Sequence, residues 1–454
     1  MQTKLETFGS KIGMLAAVVG SSVGLGNVWR FPNEVHENGG AAFLIIYIFC
    51  LLVFGIPTML AEFSLGRAGK SDAIGAYKNT RKGGYWWIGG MFAILACYLI
   101  AFFYMLVAGW TLEYLWATLN GSLFENLQPG NEPAFFTGKM NSMVLNSYEP
   151  IFWTGIVLVI NLVILLKGVN KGIERISNML MPMLFVILLI FCAASLSMPN
   201  SSKGVAYFLQ PDFTKVSFET VIDAMGQAFF SLSIGMGILV TYSAYFPAKA
   251  NLQSTAVSVS LLDFLVSFLM GLIIFPTIAS FGVEGSIGGT GLIFVTMPQV
   301  FTSMPWPRLW SALFFILLAV AAITSTISVA EVAVAFLRDR AKMGRTKACY
   351  AVILPLFVFC PLCSLSLGIM PELQIAGDSL FDFLDEFTSN VLLIIAAFIL
   401  CVYVGWVMPK DFFKKQMTNE GTGKAYLVEF IHMLIKYLCP ILIVLIFAFK
   451  FFSM

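Results

Sequence analysis

Two stretches of the chain combine paired glycines with hydroxyl and amide side chains inside otherwise apolar sequence. The first covers residues 20–32 and reads GSSVGLGNVWRFP, and the second covers residues 229–237 and reads FFSLSIGMG. Where glycines interrupt a membrane helix, freed carbonyls can coordinate a small cation such as Na⁺, and the N–H groups of a half-helix N-terminus attract a carboxylate. The alternative is close packing of helices through small residues. Their matching composition favours a binding site.

A pair of hydroxyl side chains, Thr324 and Ser325, lies in the middle of a third apolar stretch. Hydroxyl and carbonyl oxygens are hard ligands that suit a hard cation and are unsuited to copper or zinc. Hydroxyls in the middle of a helix also commonly donate to carbonyls of their own helix. From these two residues alone, both interpretations stay open.

The composition indicates that these stretches lie in a membrane. The chain has 454 residues, of which 59% are hydrophobic and 11% charged, with a mean hydropathy of +0.86, whereas soluble domains have about 25% charged residues. No charge occurs between Glu37 and Glu62 or between Lys82 and Glu113, and each run exceeds the roughly 20 residues that a helix needs to cross the hydrocarbon core. Because backbone groups in lipid must be satisfied within their own segment, we predict membrane-spanning helices.

Eleven such spans are predicted. Their centres lie near Val19, Leu52, Ala101, Val159, Phe185, Ser231, Phe268, Ala319, Leu356, Ile395 and Leu442. Lys and Arg are concentrated in the connections on one side, which the positive-inside rule assigns to the cytoplasm. We therefore expect a multi-pass plasma-membrane protein with a cytoplasmic N-terminus and, because the number of spans is odd, an external C-terminus.

Other kinds of chemistry find little support in the sequence. Cys360 and Cys363 form a C-x-x-C within an apolar run, where packing is the expected role and redox or metal chemistry the alternative. With only two histidines, His36 and His432, a histidine metal cluster is excluded. The spans contain neither a serine–histidine pair nor an HExxH motif, so we expect no enzyme, and we expect no nucleic-acid partner. The oligomeric state cannot be inferred from the sequence.

The two glycine-rich stretches begin the first and the second group of five spans. Interrupted helices in corresponding positions of two halves are typical of inverted-repeat transporters, which bind substrate and ions at the breaks. An amino-acid sensor that binds without transport is the alternative function. It predicts a soluble signalling appendage, and the sequence shows only short loops.

The chain resembles the neurotransmitter:sodium symporter family in motifs that are distributed over its length. They are GLGNVWRFP at 24–32, ENGGAAF at 37–43, GIP at 55–57, FFSLS at 229–233 and AAITST at 321–326. Within the family it is most similar to bacterial carriers of several hydrophobic amino acids. The resemblance implies an all-α integral membrane fold with 11 transmembrane helices and unwound helices 1 and 6.

The resemblance also implies one membrane domain over residues 1–454. Its two inverted five-helix repeats would cover about 10–200 and about 215–408, and an extra helix would cover about 426–452.

Two sodium ions are implied by the resemblance. The first would be bound at the Ser22 carbonyl and by Asn27, Ser231 and Asp263, with the substrate carboxylate completing the site. The second would be bound by backbone carbonyls and two hydroxyls, from Gly20, Val23, Ala321, Thr324 and Ser325.

The substrate would lie between the two breaks. Its carboxylate would contact the amides of Leu25 and Gly26 and the hydroxyl of Tyr104, although Tyr104 considered alone could be a buried or interfacial aromatic. The other implied contacts are Ser21, Ser22, Ile100, Phe230, Ser231, Ser233, Met236, Ser325 and Val329.

Charged and aromatic residues on either side of this site are implied to act as gates. Arg30 would pair with Asp385 outside, since an unpaired Arg within a span costs about 2.5–3.5 kcal/mol on insertion scales. Gly172 and Pro182 have the spacing at which this family's fifth helix unwinds; an ordinary kink at Pro182 is the alternative.

Asp339, near the inner end of the eighth span, would belong to the cytoplasmic gate, and Tyr245 is a further gate residue. The chain departs from the family pattern here, because position 5 is Leu5 where the family has Arg. Lys4 or Lys11 is the expected substitute.

Sodium-coupled symport of hydrophobic L-amino acids, both aliphatic and aromatic, by alternating access is the function that the resemblance implies. Family members that carry monoamines have Asp at the position of Gly24, so the glycine implies a substrate with its own carboxylate. Chloride-dependent members have Asn at the position of Asp263. The carboxylate therefore implies transport without chloride.

Overall fold

The computed structural model describes residues 6–282 and 288–453, and most of them lie in helices. In this part of the chain, nine helices are long and apolar enough to cross a membrane. In chain order they are helix 2 (Ala41–Gly69), helix 3 (Trp87–Asn120), helix 4 (Glu149–Leu166), helix 5 (Val169–Leu196), helix 7 (Leu252–Phe281), helix 8 (Pro307–Arg340), helix 9 (Arg345–Ser366), helix 10 (Leu380–Val407) and helix 11 (Val428–Lys450).

Helix 1 is a bent pair of helices, and it is long and apolar enough to cross a membrane only when the two are counted as one span. Helix 1a (Lys11–Ser22) and helix 1b (Gly26–Glu37) meet at 54°. The Ser10 side chain caps helix 1a by accepting a hydrogen bond from the Gly13 amide. Val23 then leaves the helix with extended dihedrals of φ −71° and ψ 108°, which opens the backbone where the sequence predicts an unwound segment.

Helix 6 is also broken. Helix 6a (Phe218–Ser231) and helix 6b (Ile238–Ala244) are separated by six non-helical residues. Within the break, Ser233 has φ +54°, and Gly235 and Gly237 have φ +81° and +70°. Glycine adopts such angles at little cost, and the Glu62 carboxylate stabilises the opened backbone by accepting from the Gly235 amide at 2.7 Å.

Each predicted span centre lies in one of these helices or, for Ser231, at the end of helix 6a. The all-helical membrane fold and the two broken helices are confirmed. The count of eleven spans stays a prediction, because helix 6 is divided into two pieces that are each too short to cross a membrane. The boundaries of the two repeats also stay a prediction.

The connections contain short elements. The α-helices among them are Ala73–Thr80, Glu132–Leu145, Ser201–Leu209, Gly289–Gly291, Met297–Thr302 and Lys410–Met417, and the 3₁₀ turns are Ser122–Phe124 and Phe213–Lys215. Between helices 9 and 10, strands β1 (Gln374–Ile375) and β2 (Asp378–Ser379) form a small antiparallel hairpin. Helices 1b, 2, 5, 10 and 11 contain π-helical turns at Gly26–Arg30, Leu51–Gly55, Val169–Glu174, Thr388–Leu392, Tyr403–Val407 and Leu434–Leu438, and a further π-helical turn, Leu292–Thr296, precedes Met297–Thr302.

The broken helices lie at the centre of the fold. Helix 8 is the most enclosed span, with 78% of its apolar window buried against 33% for helix 11, so helix 11 is peripheral. Helix 8 packs along helix 3 and contacts helix 1a. Large apolar side chains such as Phe49, Leu189 and Leu354 are exposed on the outer surface, as expected where the surrounding solvent is lipid.

Candidate functional site

A cavity of about 500 Å³ lies between the breaks of helices 1 and 6, beside helices 3 and 8. All twelve residues that the sequence predicts as substrate contacts line it: Ser21, Ser22, Leu25, Gly26, Ile100, Tyr104, Phe230, Ser231, Ser233, Met236, Ser325 and Val329. Gly24, Asn27, Phe103 and Ile238 complete the lining. The structure brings the predicted residues together, and their role as substrate contacts stays a prediction.

One end of the cavity is suited to a small anionic group. The Leu25 amide at the start of helix 1b faces the Tyr104 hydroxyl at 3.5 Å. At Gly24, a Cβ atom would lie 3.0 Å from the Tyr104 hydroxyl and 3.1 Å from the Ser325 hydroxyl. The missing side chain therefore keeps this end open to a ligand, next to donors at a helix N-terminus that favour negative charge.

The other end of the cavity is apolar. Its lining side chains are Ile100, Phe103, Phe230, Met236, Ile238 and Val329. The Ser233 hydroxyl does not face a ligand freely, because it donates to the Ser21 carbonyl at 2.9 Å and so ties the two breaks together. A pocket that is mostly apolar with a few polar groups at one end fixes the orientation of a small amphipathic ligand.

The predicted first sodium site contains a buried carboxylate. Asp263 has no exposed surface, and Asn27 Nδ2 donates to its Oδ1 at 2.8 Å while the Ser231 hydroxyl donates to its Oδ2 at 2.6 Å. Asn27 Nδ2 also donates to Ser231 and Ser267. These partners are neutral, and a buried carboxylate needs a cation or several hydrogen bonds to stay ionised. The carboxylate and hydroxyl oxygens gathered here are hard ligands, which suit a hard cation such as Na⁺.

At the predicted second sodium site, the two hydroxyls behave differently. Ser325 donates across to helix 1a, to the carbonyls of Gly20 at 3.2 Å and Val23 at 3.3 Å. Thr324 donates within its own helix, to Val320 at 3.0 Å and Ala321 at 3.1 Å. The Ser325 hydroxyl therefore lies where oxygens of helices 1a and 8 converge. The Thr324 hydroxyl instead donates to carbonyls of its own helix, which is the alternative that the sequence left open.

Above the cavity lies a larger hollow of about 980 Å³, which we call the vestibule. It shares Leu25, Gly26, Phe103, Tyr104 and Phe230 with the cavity and is lined further out by Trp29, Arg30, Val107, Gly289, Thr290, Phe381, Asp385, Glu386, Ser389 and Asn390. Phe103, Tyr104 and Phe230 therefore separate the two hollows.

The predicted external gate pair faces this vestibule without closing it. Arg30 pairs with Glu34 on the next helical turn at 3.3 Å, and its guanidinium lies 5.4 Å from the centre of the Phe230 ring. Asp385 accepts from the Ser389 hydroxyl at 3.4 Å. Arg30 and Asp385 make no ion pair with each other in the described residues, so the gate pair stays a prediction for another state.

At the opposite ends of the helices, Asp339 is held by three donors. It accepts from the Ser71 hydroxyl at 3.2 Å, the Asp72 amide at 2.9 Å and Arg338 Nε at 2.8 Å. The cation beside Asp339 is therefore Arg338, its neighbour in the chain, while the side chain of Lys11 is exposed. Lys4 and Leu5 lie outside the described residues.

A second ion pair joins the end of helix 8 to the connection between helices 2 and 3. Arg340 Nε lies 3.2 Å from Asp72 Oδ2. Burial between helices 2 and 3 raises the pKa of Asp72 above its ordinary value, and the Arg340 guanidinium partly offsets this shift.

Tyr245 belongs to a network that the sequence motifs do not indicate. Its hydroxyl donates to Glu331 at 2.9 Å, and Arg345 binds the other oxygen of Glu331 at 2.8 Å and Glu6 at 3.3 Å. The Glu331 side chain is fully buried. A signal does exist in the sequence, because an ionisable residue inside an apolar span is a candidate functional group. Glu174 holds the adjoining N-terminal segment by accepting from the Gly9 amide at 2.7 Å.

Helix 5 is wound at the residues expected to unwind. Gly172 lies in a π-helical turn, Val169–Glu174, and Pro182 lies inside the α-helix that follows. The regular α-helical hydrogen bonding is already altered at both positions. Unwinding of helix 5 between them stays a prediction for another state.

The comparisons agree with this arrangement of broken helices around one cavity. The model of the sodium:neurotransmitter symporter family matches residues 5–128 and 134–454. The chain belongs to this family. It is therefore a sodium-dependent, multi-span membrane transporter, and its relatives are transporters and not enzymes.

Individual relatives show how far the similarity extends. The uncharacterized sodium-dependent transporter YhdH of Bacillus subtilis is 32% identical, over 98% of both chains. The sodium-dependent serotonin transporter of Drosophila melanogaster is 28% identical over 98% of this chain and 76% of its own length. The crystal structure of MhsT in complex with L-phenylalanine has a TM-score of 0.87 and is 33% identical, covering 98% of this chain and 99% of that one.

Proposed function

We propose that the chain carries hydrophobic L-amino acids, both aliphatic and aromatic, into the cell together with Na⁺ by alternating access. The observation that carries this proposal is the cavity, which joins an anion-receptive end at helix 1b to an apolar end. An α-amino acid with an apolar side chain has the same polarity along its length. The phenylalanine bound to the similar MhsT supports a pocket for apolar side chains.

The substrate carboxylate has two tasks in this proposal. It accepts from the amides of Leu25 and Gly26 and from the Tyr104 hydroxyl, which orients the molecule. It also lies beside the first sodium site, so that substrate and Na⁺ each increase the affinity for the other, as linkage requires. Decarboxylated amines lose both interactions.

Two sodium ions are proposed. One is bound near Asn27, Ser231 and Asp263, and the other where Ser325 meets the carbonyls of helix 1a. Each inward Na⁺ gains about 2.3 kcal/mol per 100 mV of membrane potential, which can drive accumulation of the substrate. The proposed orientation in the plasma membrane has the N-terminus in the cytoplasm and the C-terminus outside.

Transport is proposed to be independent of chloride. Asp263 lies in a polar region with Ser231 and Ser267, and Gln227 is buried one turn before Ser231. A fixed carboxylate there repels an anion and already supplies the negative charge that balances Na⁺. In the described residues the Gln227 amide has no hydrogen-bond partner, and water can satisfy such an amide without added charge.

Competition between matched ligands tests the substrate class. Sodium-dependent uptake of labelled L-leucine is measured with unlabelled L-leucine, L-phenylalanine, isoamylamine or phenethylamine as competitor. Both amino acids should compete strongly and both amines negligibly. Equal competition by an amine and its parent amino acid would contradict the proposal, and sodium-dependent binding without any uptake would favour the sensor.

A further inference from the structure

A hollow of about 630 Å³ lies away from the transport pathway, where the short helix Ala73–Thr80 turns into helix 3. Its lining residues are Tyr77, Lys78, Arg81, Lys82, Gly83, Gly84, Trp86 and Trp87. Three of these eight residues are cations and three are aromatic, and none is acidic. We call this feature the basic hollow.

The cations of the basic hollow are accessible. Lys78, Arg81 and Lys82 all have solvent-accessible side chains. Lys78 Nζ lies 4.7 Å from the centre of the Trp87 ring, an arrangement that holds the ammonium group without neutralising it. Arg81 donates through one nitrogen to the Val407 carbonyl of helix 10, which fixes its position and leaves its other N–H groups available.

The backbone is shaped to keep the hollow open. Gly83 and Gly84 have φ +87° and +79°, a conformation that side chains rarely allow. A Cβ atom on Gly83 would meet nothing within 4 Å, so the space above it is open. The turn brings the three cations to the N-terminal end of helix 3, whose dipole also favours negative charge.

The aromatic residues locate the hollow at the membrane surface. Trp86 and Trp87 are half-buried at the start of a 34-residue span, and Tyr85 beside them is 79% exposed. Trp and Tyr concentrate at the level of lipid headgroups. The Lys and Arg distribution predicts this end to face the cytoplasm, where the leaflet carries anionic lipids.

We propose that the basic hollow binds the headgroup of an anionic phospholipid. The phosphate is bound by Lys78, Arg81 and Lys82, and the acyl chains lie against the apolar surface that begins at Trp86 and Trp87. Charge complementarity carries the assignment, because the lining residues supply three cations and no competing carboxylate. A bilayer lipid is the occupant because the aromatic residues place the cations at headgroup level.

A second hollow on the same side provides a contrast. It lies between the short helix Lys410–Met417 and helix 11, and its lining mixes Lys414 and Lys436 with Asp411 and Glu429. Lys414 lies 3.8 Å from Glu429. Because its charges are balanced, this hollow should not prefer an anionic lipid. Three exposed lysines of the same connection, Lys414, Lys415 and Lys424, therefore provide a matched control.

Lipid binding to the purified full-length chain in a neutral detergent tests the proposal. Native mass spectrometry would follow titration with dioctanoyl phosphatidylglycerol, dioctanoyl phosphatidylcholine or inorganic phosphate. The test variant is K78Q/R81Q/K82Q, the charge-retaining variant is K78R/R81K/K82R, and the control K414Q/K415Q/K424Q removes the same charge elsewhere. Each cation near an anionic lipid is worth about a fivefold change in affinity.

Wild type should bind one phosphatidylglycerol at least about tenfold more tightly than phosphatidylcholine. The charge-retaining and control variants should keep this preference, and K78Q/R81Q/K82Q should lose it. Equal binding of the two lipids, an unchanged K78Q/R81Q/K82Q variant, or the same loss in the control variant would overturn the proposal. Full competition by millimolar inorganic phosphate would also overturn it, by showing a site for free anions.

Discussion

The two ends of the transport pathway differ in how their charges are paired. At the vestibule, Arg30 and Asp385 face the same hollow but bind other partners. At the opposite end, which we call the ion-pair end, Arg338 binds Asp339, Arg340 binds Asp72, and Arg345 binds both Glu331 and Glu6. The vestibule therefore has no ion pair between its two predicted gate residues, whereas several ion pairs hold the ion-pair end together.

The difference shows where energy must be supplied during transport. In the predicted cycle, closing the vestibule forms one new contact, between Arg30 and Asp385, which line the same hollow. Opening the ion-pair end requires several contacts to separate, including one to Glu331, which is fully buried. Na⁺ and substrate binding between the two ends can shift this balance only through different affinities for the two states.

The largest effect is expected from breaking the buried pair at the ion-pair end. Glu331→Ala leaves Arg345 without its buried partner and removes the acceptor of Tyr245. Breaking such a pair costs about 3–5 kcal/mol. Thermal unfolding of the purified chain should therefore occur at a clearly lower temperature, and cysteines introduced along the ion-pair end should react faster with a soluble thiol reagent.

The control for this variant is Lys414→Ala. Lys414 pairs with Glu429 at 3.8 Å, but both side chains are exposed, and exposed pairs contribute about 0–1 kcal/mol. If Glu331→Ala changes stability and reactivity no more than Lys414→Ala does, the ion-pair end is not the barrier.

The next largest effect is expected at the vestibule. Arg30→Gln removes the cation that is predicted to pair with Asp385 when the vestibule closes, and losing one partner of a charge pair costs about 2 kcal/mol or more. Uptake should fall at least about 30-fold while sodium-dependent substrate binding stays measurable. Aggregation of the variant would instead indicate a static structural role for Arg30.

A smaller effect is expected at the first sodium site, between the two ends. Asp263→Asn removes the charged ligand of the proposed site, which should weaken the apparent affinity for Na⁺ by about tenfold or more. The variant should also become dependent on chloride, because an anion can replace the lost charge. Uptake is measured with gluconate in place of chloride; a wild type that loses uptake in gluconate contradicts chloride independence.

The smallest effect is expected in the apolar end of the cavity. Met236 is unbranched and can repack around different side chains, whereas a phenylalanine ring cannot. Met236→Phe should weaken binding of tryptophan by about 1 kcal/mol or more and leave leucine nearly unchanged. Competition curves for both amino acids decide this, since equal weakening would show that Met236 does not select substrates.

The two regions also differ in how well the amino-acid sequence predicts them. Around the cavity, short motifs have fixed positions relative to the breaks, so the AAITST motif at 321–326 is enough to place Ser325 near the cavity. Even there, the sequence does not distinguish Ser325, which bonds across to helix 1a, from Thr324, which bonds within helix 8. That difference depends on how the helices face each other.

The ion-pair end is harder to predict, because its contacts join segments that are far apart in the chain. Glu6 meets Arg345, which is 339 positions away, and neither belongs to a local motif. The prediction that Lys4 or Lys11 replaces the missing arginine considers only the N-terminal segment. Arg338 lies beside Asp339 in the sequence and is easily overlooked, because sequence neighbours on a helix seldom face each other.

Transport into proteoliposomes tests the central proposal most directly. The purified chain is reconstituted and loaded with potassium buffer, and uptake of labelled L-phenylalanine is followed after dilution into sodium or potassium buffer. An inward Na⁺ gradient should drive accumulation above equilibrium, and collapsing the gradient with a sodium ionophore should abolish it. Sodium-independent uptake, or sodium-dependent binding with no accumulation inside active proteoliposomes, would contradict sodium-coupled amino-acid symport.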